Sequence, residues 1–272
     1  MAGVAGRVAL VTGAGSAAGI GFACARALRA AGALVAITST TDRIFDRQRE
    51  LGPGTHAQIA DLTRQSDIDA LVAAVAAALG PIDILVNNAG MQQSGIEHPR
   101  SRLADLPDAA WEFGLAISLT SAFRMCRAVL PGMSGRRYGR IIQMASVTGP
   151  LVGIDGSGTY AAAKAGLIGM TRVMAIETGG FGITVNAVGP GWIATESSSA
   201  AERVAGRHTP LGRPGTPAEG PAEDRASGAC PGASCTSSIC RRAALPSGEI
   251  RGSCQATNKN CRAASRSASE TF

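Results

Sequence analysis

Residues 7–38 limit what this chain can fold into more than any other stretch. Residues 7–12 are a short apolar run that ends at a glycine-rich turn, the pattern of a buried strand. The turn reads Gly13-Ala-Gly-Ser-Ala-Ala-Gly-Ile-Gly21. Residues 22–31 then read as an alanine-rich helix and residues 33–38 as a second apolar strand. Strand, turn, helix and strand within about thirty residues make a βαβ unit. Such crossovers are right-handed and build parallel sheets. Gly13, Gly15, Gly19 and Gly21 bracket the turn. Glycine lets backbone approach a pyrophosphate closely, and a helix N-terminus offers free N–H groups and a positive dipole. A glycine pattern alone could be a flexible loop, but its place between first strand and first helix favours dinucleotide binding.

The alternation continues along the chain. Residues 56–60 read as a third strand, followed by Asp61-Leu62-Thr63. Residues 67–79 read as a helix capped by Ser66. Residues 82–86 read as a fourth strand closed by Asn87-Asn88-Ala89-Gly90, and residues 109–130 as a long helix stopped by Pro131. Residues 140–144 form a fifth strand leading to Ser146. A helix carrying Tyr160 runs to about residue 178, and residues 183–187 form a sixth strand ending in Gly189-Pro190-Gly191. Six strands alternating with helices imply an α/β fold with a Rossmann-type, doubly wound parallel sheet.

Composition sets the boundaries. The chain has 272 residues, 45% of them apolar, which is ample for a core. Its net charge is +6, but the arginines are scattered, without the runs of a nucleic-acid binder. The N-terminus lacks a basic region followed by an apolar run, and no uncharged stretch is long enough to span a bilayer. A cytoplasmic protein without nucleic-acid or membrane partners is expected. Cys24 and Cys126 sit in helical apolar patterns. The other five cysteines fall between Cys230 and Cys261 without close C-x-x-C pairs, so no metal site is expected. Residues 220–272 contain no valine and lose all periodicity. Residues 1–219 are therefore expected to form the domain and residues 220–272 a disordered low-complexity tail. Such a tail reads either as out-of-frame translation of a GC-rich gene or as a genuine partner-binding segment.

Tyr160 and Lys164 stand four apart, on one helix face. A cation beside a phenol favours the phenolate and lowers its pKa, which suits proton exchange with a carbonyl or alcohol. An ordinary amphipathic helix could carry the same pair. However, the chain has only two lysines, Lys164 and Lys259, and uses arginine elsewhere, which suggests that a compact ammonium is needed at Lys164. The second strand ends in Thr38-Ser39-Thr40-Thr41, with Arg43 just beyond and no acid at the usual ribose-binding position. Ser39, Thr40 and Arg43 suit a 2′-phosphate, so NADP(H) is favoured and NAD(H) remains possible. Arg43 reads equally well as a solvated residue at a helix start.

These motifs together resemble the short-chain dehydrogenases/reductases, within them the 3-oxoacyl-acyl-carrier-protein reductase-like group, over roughly residues 5–217. The resemblance rests on Thr12-Gly13 to Gly19-Ile20-Gly21, Asp61-Leu62-Thr63, Asn87-Asn88-Ala89-Gly90, Ser146, Tyr160-x-x-x-Lys164 and Pro190-Gly191-Trp192-Ile193-Ala194-Thr195. It implies a catalytic set in which Ser146 bonds the substrate oxygen, Tyr160 exchanges the proton, and Lys164 holds ribose hydroxyls and lowers the Tyr160 pKa. It implies a cofactor held by Gly13, Ser16, Gly19, Ile20 and Gly21. Asp61 would meet the adenine beside Leu62. Asn88, Ala89 and Gly90 would line the cofactor's middle. Ile193 and Thr195, after Pro190 and Gly191, would meet the carboxamide. There are three departures. The glycine turn has two extra residues. Ser118 stands where the family usually has a proton-relay asparagine. The family's closing helix and seventh strand are missing, which is expected to leave the sixth strand as an edge and to impair a homo-tetramer or dimer.

The function implied is reduction of a ketone, or oxidation of the alcohol. A 3-oxoacyl thioester on acyl carrier protein and a small carbonyl both remain open as substrates. Arg136, Arg137, Arg140 and Arg172 could form a basic patch at the site mouth for an acidic carrier, although Arg136 and Arg137 read equally as a solvated turn. Two other readings stay open: a non-catalytic nucleotide-binding regulator, and an inactive chain lacking its native C-terminus.

Overall fold

Strand β1 (Val8–Thr12) is buried at every position, and its side chains alternate between two cores. Val8 and Leu10 join one cluster, and Ala9 and Val11 the other. The period of two in a strand enforces this split, so a strand covered on both faces must be apolar throughout. A computed structural model describes residues 3–90, 101–196, 198, 200–209, 211–219 and 237–238.

The other strands are β2 (Leu34–Ser39), β3 (Thr55–Ile59), β4 (Ile84–Asn87), β5 (Gly139–Met144), β6 (Ile183–Gly189) and β7 (Ser237–Ser238). Their order is β3-β2-β1-β4-β5-β6-β7. The first six pair in parallel, as expected for a doubly wound sheet. The sixth strand is not a bare edge over its last residues: Val188 and Gly189 pair antiparallel with Ser238 and Ser237. Among the described residues this seventh strand is two residues long. The remaining expectations for residues 220–272 lie outside the described residues.

Helices α1 (Ile20–Ala30) and α2 (Arg43–Leu51) cover one face, and Ala25 and Ile44 reach the cluster with Val11 and Ile37. The other face is covered by α3 (Gln65–Leu79), α5 (Ser121–Gly135) and α6 (Gly158–Gly179). Leu71, Met125 and Met174 there meet Leu10, Leu85 and Ile141. Each fully buried side chain of this size stabilises the fold by roughly 1.5–3 kcal/mol relative to exposure. The chain reverses between β1 and β4, and the crevice above that switch point is where open α/β sheets bind ligands.

Two boundaries differ from expectation. Pro131 does not stop the long helix, because α5 continues to Gly135. Val129 and Met133 are buried on either side of the proline and hold the last turn against the sheet. Ser66 does not cap α3. Arg64 takes the cap position and Ser66 lies inside the helix, where its hydroxyl meets Asp67 at 3.3 Å. The stretch Asp108–Gly135 is long and apolar enough, by composition, to cross a membrane. It comprises α4 (Asp108–Leu115), one π-helical turn (Ala116–Thr120) and α5, and its inner face supplies Met125, Cys126, Val129 and Met133 to the core.

Candidate active site

The glycine turn and the end of β4 are joined through Thr12, the last residue of β1. Its buried hydroxyl accepts the backbone N–H groups of Asn88 and Ala89, each at 3.0 Å, and donates to the Val86 carbonyl at 3.3 Å. The Asn88 amide nitrogen returns two bonds, to the carbonyls of Thr12 and Gly13, both at 3.0 Å. Gly21 must be glycine for this arrangement: a Cβ there would lie 2.5 Å from that amide nitrogen and 2.6 Å from the Gly13 carbonyl oxygen. Thr12 belonged to a sequence motif, but its role as the junction was not read. A threonine closing a β-strand looks like any β-branched strand residue.

The glycine-turn end of the crevice suits an anion. Gly19 is the N-cap of α1 and makes no side-chain cap, so the helix opens on backbone N–H groups. Ser16 lies beside this N-terminus. At the end of β2, the Ser39 hydroxyl bonds the Thr41 carbonyl at 2.9 Å, and Arg43 Nε bonds the Thr41 hydroxyl at 3.4 Å. Gly15 backs directly onto Ser39. Ser39 therefore lies against the turn, and Arg43 is tied to it through Thr41, with Thr40 between them in the chain. Asp61 accepts the Thr63 N–H and hydroxyl at 2.9 and 2.7 Å, holding the loop after β3, and Leu62 is buried beneath it.

The catalytic candidates meet beyond the end of β5. Ser146 is buried, its hydroxyl accepts the Thr148 N–H at 3.1 Å, and it is the side chain that favours the Tyr160 phenolate. Lys164, one turn along α6, is buried, with Nζ 5.5 Å from the centre of the Tyr160 ring and bonded to the Met144 carbonyl at 2.6 Å. Helical spacing thus places phenol and ammonium together as read.

The electrostatics differ from expectation. Burial pushes the Tyr160 phenol above its ordinary value. The Ser146 hydrogen bond pulls it back, and the Glu202 carboxylate, from α7 (Ala200–Arg207), raises it further. Burial also lowers Lys164 itself to about 8. The cause is desolvation, which disfavours a buried ammonium. No sequence signal pointed to Glu202.

The loop after β6 completes the site. The Pro190 carbonyl accepts the Val147 N–H at 3.1 Å, fixing that loop to the one carrying Ser146. Ile193 pairs with Gly215, and the Ser198 hydroxyl bonds the Ile193 carbonyl at 3.0 Å and the Thr195 N–H at 2.9 Å. Gly191 lies between these anchors. Ser118 sits in the π-helical turn, and its hydroxyl donates to the Gly90 carbonyl at 2.7 Å. A Cβ on Gly90 would lie 2.7 Å from the Ser118 Cα, so strand end and helix touch there.

The proposed basic patch does not form at this site's mouth. Arg136 and Arg137 bond the carbonyls of Ile82 and Gly180, at the N-terminal ends of β4 and β6. Arg140 stands near the start of β5 and Ser146 past its end, roughly 20 Å apart at strand spacing. Arg172 lies about 18 Å along α6 from Tyr160. The sheet separates these arginines from the chain's own site, because strand direction puts them at its opposite end.

A family model described as enoyl-(acyl carrier protein) reductase matches residues 13–221. The 3-oxoacyl-acyl-carrier-protein reductase of Vibrio cholerae is 40% identical over 219 residues, 79% of this chain and 86% of that one. The D-beta-hydroxybutyrate dehydrogenase of Cupriavidus necator is 39% identical over 196 residues, 70% of this chain and 72% of that one. A crystal structure of a variant actinorhodin polyketide ketoreductase with NADPH superposes with a TM-score of 0.72 at 33% identity, covering 80% of this chain and 88% of that one.

Proposed function

The chain belongs to the short-chain dehydrogenase/reductase family, and on that premise we propose that it is an NADP(H)-dependent oxidoreductase that reduces a ketone to a secondary alcohol, or runs the reverse. The observation that carries this reading is the meeting of Ser146, Tyr160 and Lys164 beyond the end of β5, with Lys164 Nζ 5.5 Å from the centre of the Tyr160 ring and bonded to the Met144 carbonyl.

The crevice from Asp61 and Arg43, along the glycine turn and Asn88–Gly90, to Lys164 would hold the cofactor. Bound there, NADP(H) supplies or accepts the hydride. Ser146 is placed to donate to the substrate oxygen, where negative charge develops. Tyr160, which burial favours in its acid form, delivers its proton to that oxygen in reduction and becomes phenolate; in oxidation the phenolate takes the alcohol's proton back. Lys164 presents an ammonium to ribose hydroxyls. Ile193 and Thr195, pinned through Ser198, position the carboxamide. The working unit is residues 1–219.

A 3-oxoacyl thioester is the substrate class we favour, by similarity to the carrier-protein reductases. With the arginines beyond the sheet, the acyl chain rather than carrier docking would dominate recognition by a single chain. The test is NADPH oxidation by the purified full chain with a β-ketoacyl thioester and a β-ketoester. Turnover of both supports the reading. Stoichiometric NADPH binding without turnover of either would favour the non-catalytic alternative.

A further inference from the structure

Ser16, in the glycine turn, has a partner outside the turn. Its hydroxyl donates to Glu196 Oε2 at 2.7 Å, across 180 positions of sequence. Glu196 directly follows Thr195, on the loop assigned to the carboxamide. The contact therefore spans the crevice, from its phosphate side to its nicotinamide side. It bounds a cleft of about 450 Å³ lined by Ala17, Ala18, Ala194, Thr195, Glu196 and Arg203. Arg203 is held in this wall, with Nε and Nη2 both donating to the Ser198 carbonyl at 3.1 and 3.0 Å.

A serine hydroxyl has one proton to donate, and carboxylate and phosphate oxygens are both acceptors only. Ser16 can therefore serve Glu196 or a phosphate at the open N-terminus of α1, but not both. A carboxylate left beside that phosphate would also repel it. We propose that the Ser16–Glu196 hydrogen bond is a strap closed over the phosphate end of the crevice in the free protein, and that the cofactor enters by replacing Glu196 on the Ser16 hydroxyl. This rests on the reading of the crevice as an NADP(H) site. Glu196 then sets how fast the cofactor enters and how tightly it is held, without touching the reacting atoms.

Stopped-flow and equilibrium fluorescence of NADPH with the full chain, without substrate, test this. Glu196→Ala removes the competing acceptor and its charge. It should speed association and lower the NADPH Kd, each by roughly two- to tenfold, the range of one modest hydrogen bond. Ser16→Ala breaks the strap from the other side and also removes a phosphate ligand, so it should speed association without tightening Kd. In the Ser16→Ala background, most of the acceleration from Glu196→Ala should disappear. Association and Kd unchanged, or weakened, by Glu196→Ala in a variant that binds NADPH stoichiometrically would overturn the strap alone. A wild-type chain that binds neither NADPH nor NADH would overturn the cofactor reading and the strap with it.

Discussion

Lys164 donates from Nζ to the carbonyl of Met144, the last residue of β5 and two positions before Ser146. One buried ammonium thus ties the helix that bears Tyr160 to the strand that presents Ser146. Its burial carries a pH signature. The folded value is about 8 against 10.5 for the free group, so the folded state binds fewer protons between those limits. Stability lost to the buried charge is felt below pH 8 and recovered as pH rises towards 10.5. Lys164→Met carries no such penalty. Its stability relative to wild type, from urea unfolding, should fall by roughly 3 kcal/mol between pH 7.5 and 10.5. A difference that stays constant over that range would contradict the assignment.

Thr12→Val keeps the strand's shape but removes the acceptor shared by the N–H groups of Asn88 and Ala89. Leaving buried or half-buried N–H groups unpaired costs about 1–3 kcal/mol. Urea unfolding should show that loss, and NADPH affinity should fall with it because the loop from Asn88 to Gly90 loses its anchor. An unchanged midpoint would mean that the loop is held from elsewhere.

Arg43 begins α2 beside Ser39 and Thr41. If it meets a 2′-phosphate, Arg43→Ala should weaken NADPH by roughly tenfold or more, the loss of one charge-assisted contact, and leave NADH nearly unaffected. Parallel fluorescence titrations check this. Equal weakening of both would return Arg43 to the role of a solvated helix-start residue.

Ser118→Asn adds an amide that can keep the bond to the Gly90 carbonyl and offer a second donor towards the site. Turnover should rise if the proton's route to solvent is limiting. No gain from a variant of wild-type stability would show that the proton reaches solvent without this position.

The sheet was readable because each buried strand writes an unbroken apolar run, and β1, β2 and β4 do so plainly. Tyr160 and Lys164 were readable because helical periodicity is a local rule. The burial of Lys164 and of Tyr160 was not, because it depends on where β5 ends beside α6, and with the burial of Tyr160 the direction of its shift was lost. Pro131 misled for the same reason: its local signal says stop, and the burial of Met133 outweighs it. Glu196 and Glu202 carry no local pattern. Only the return of the chain after β6 brings Glu196 to the glycine turn and α7 to the phenol. The misplaced arginines show a limit of another kind, since a charge list says nothing about which end of a strand it occupies.

The central claim is that the Tyr160 hydroxyl moves the proton while the rest of the crevice holds the cofactor. Tyr160→Phe removes only that hydroxyl. NADPH oxidation with a β-ketoacyl thioester, measured beside NADPH binding on the same preparation, tests the claim most directly. The account predicts turnover reduced at least a hundredfold, the typical contribution of a positioned acid, with the NADPH Kd within about threefold of wild type. Turnover retained at more than a few per cent of wild type, with binding intact, would contradict it.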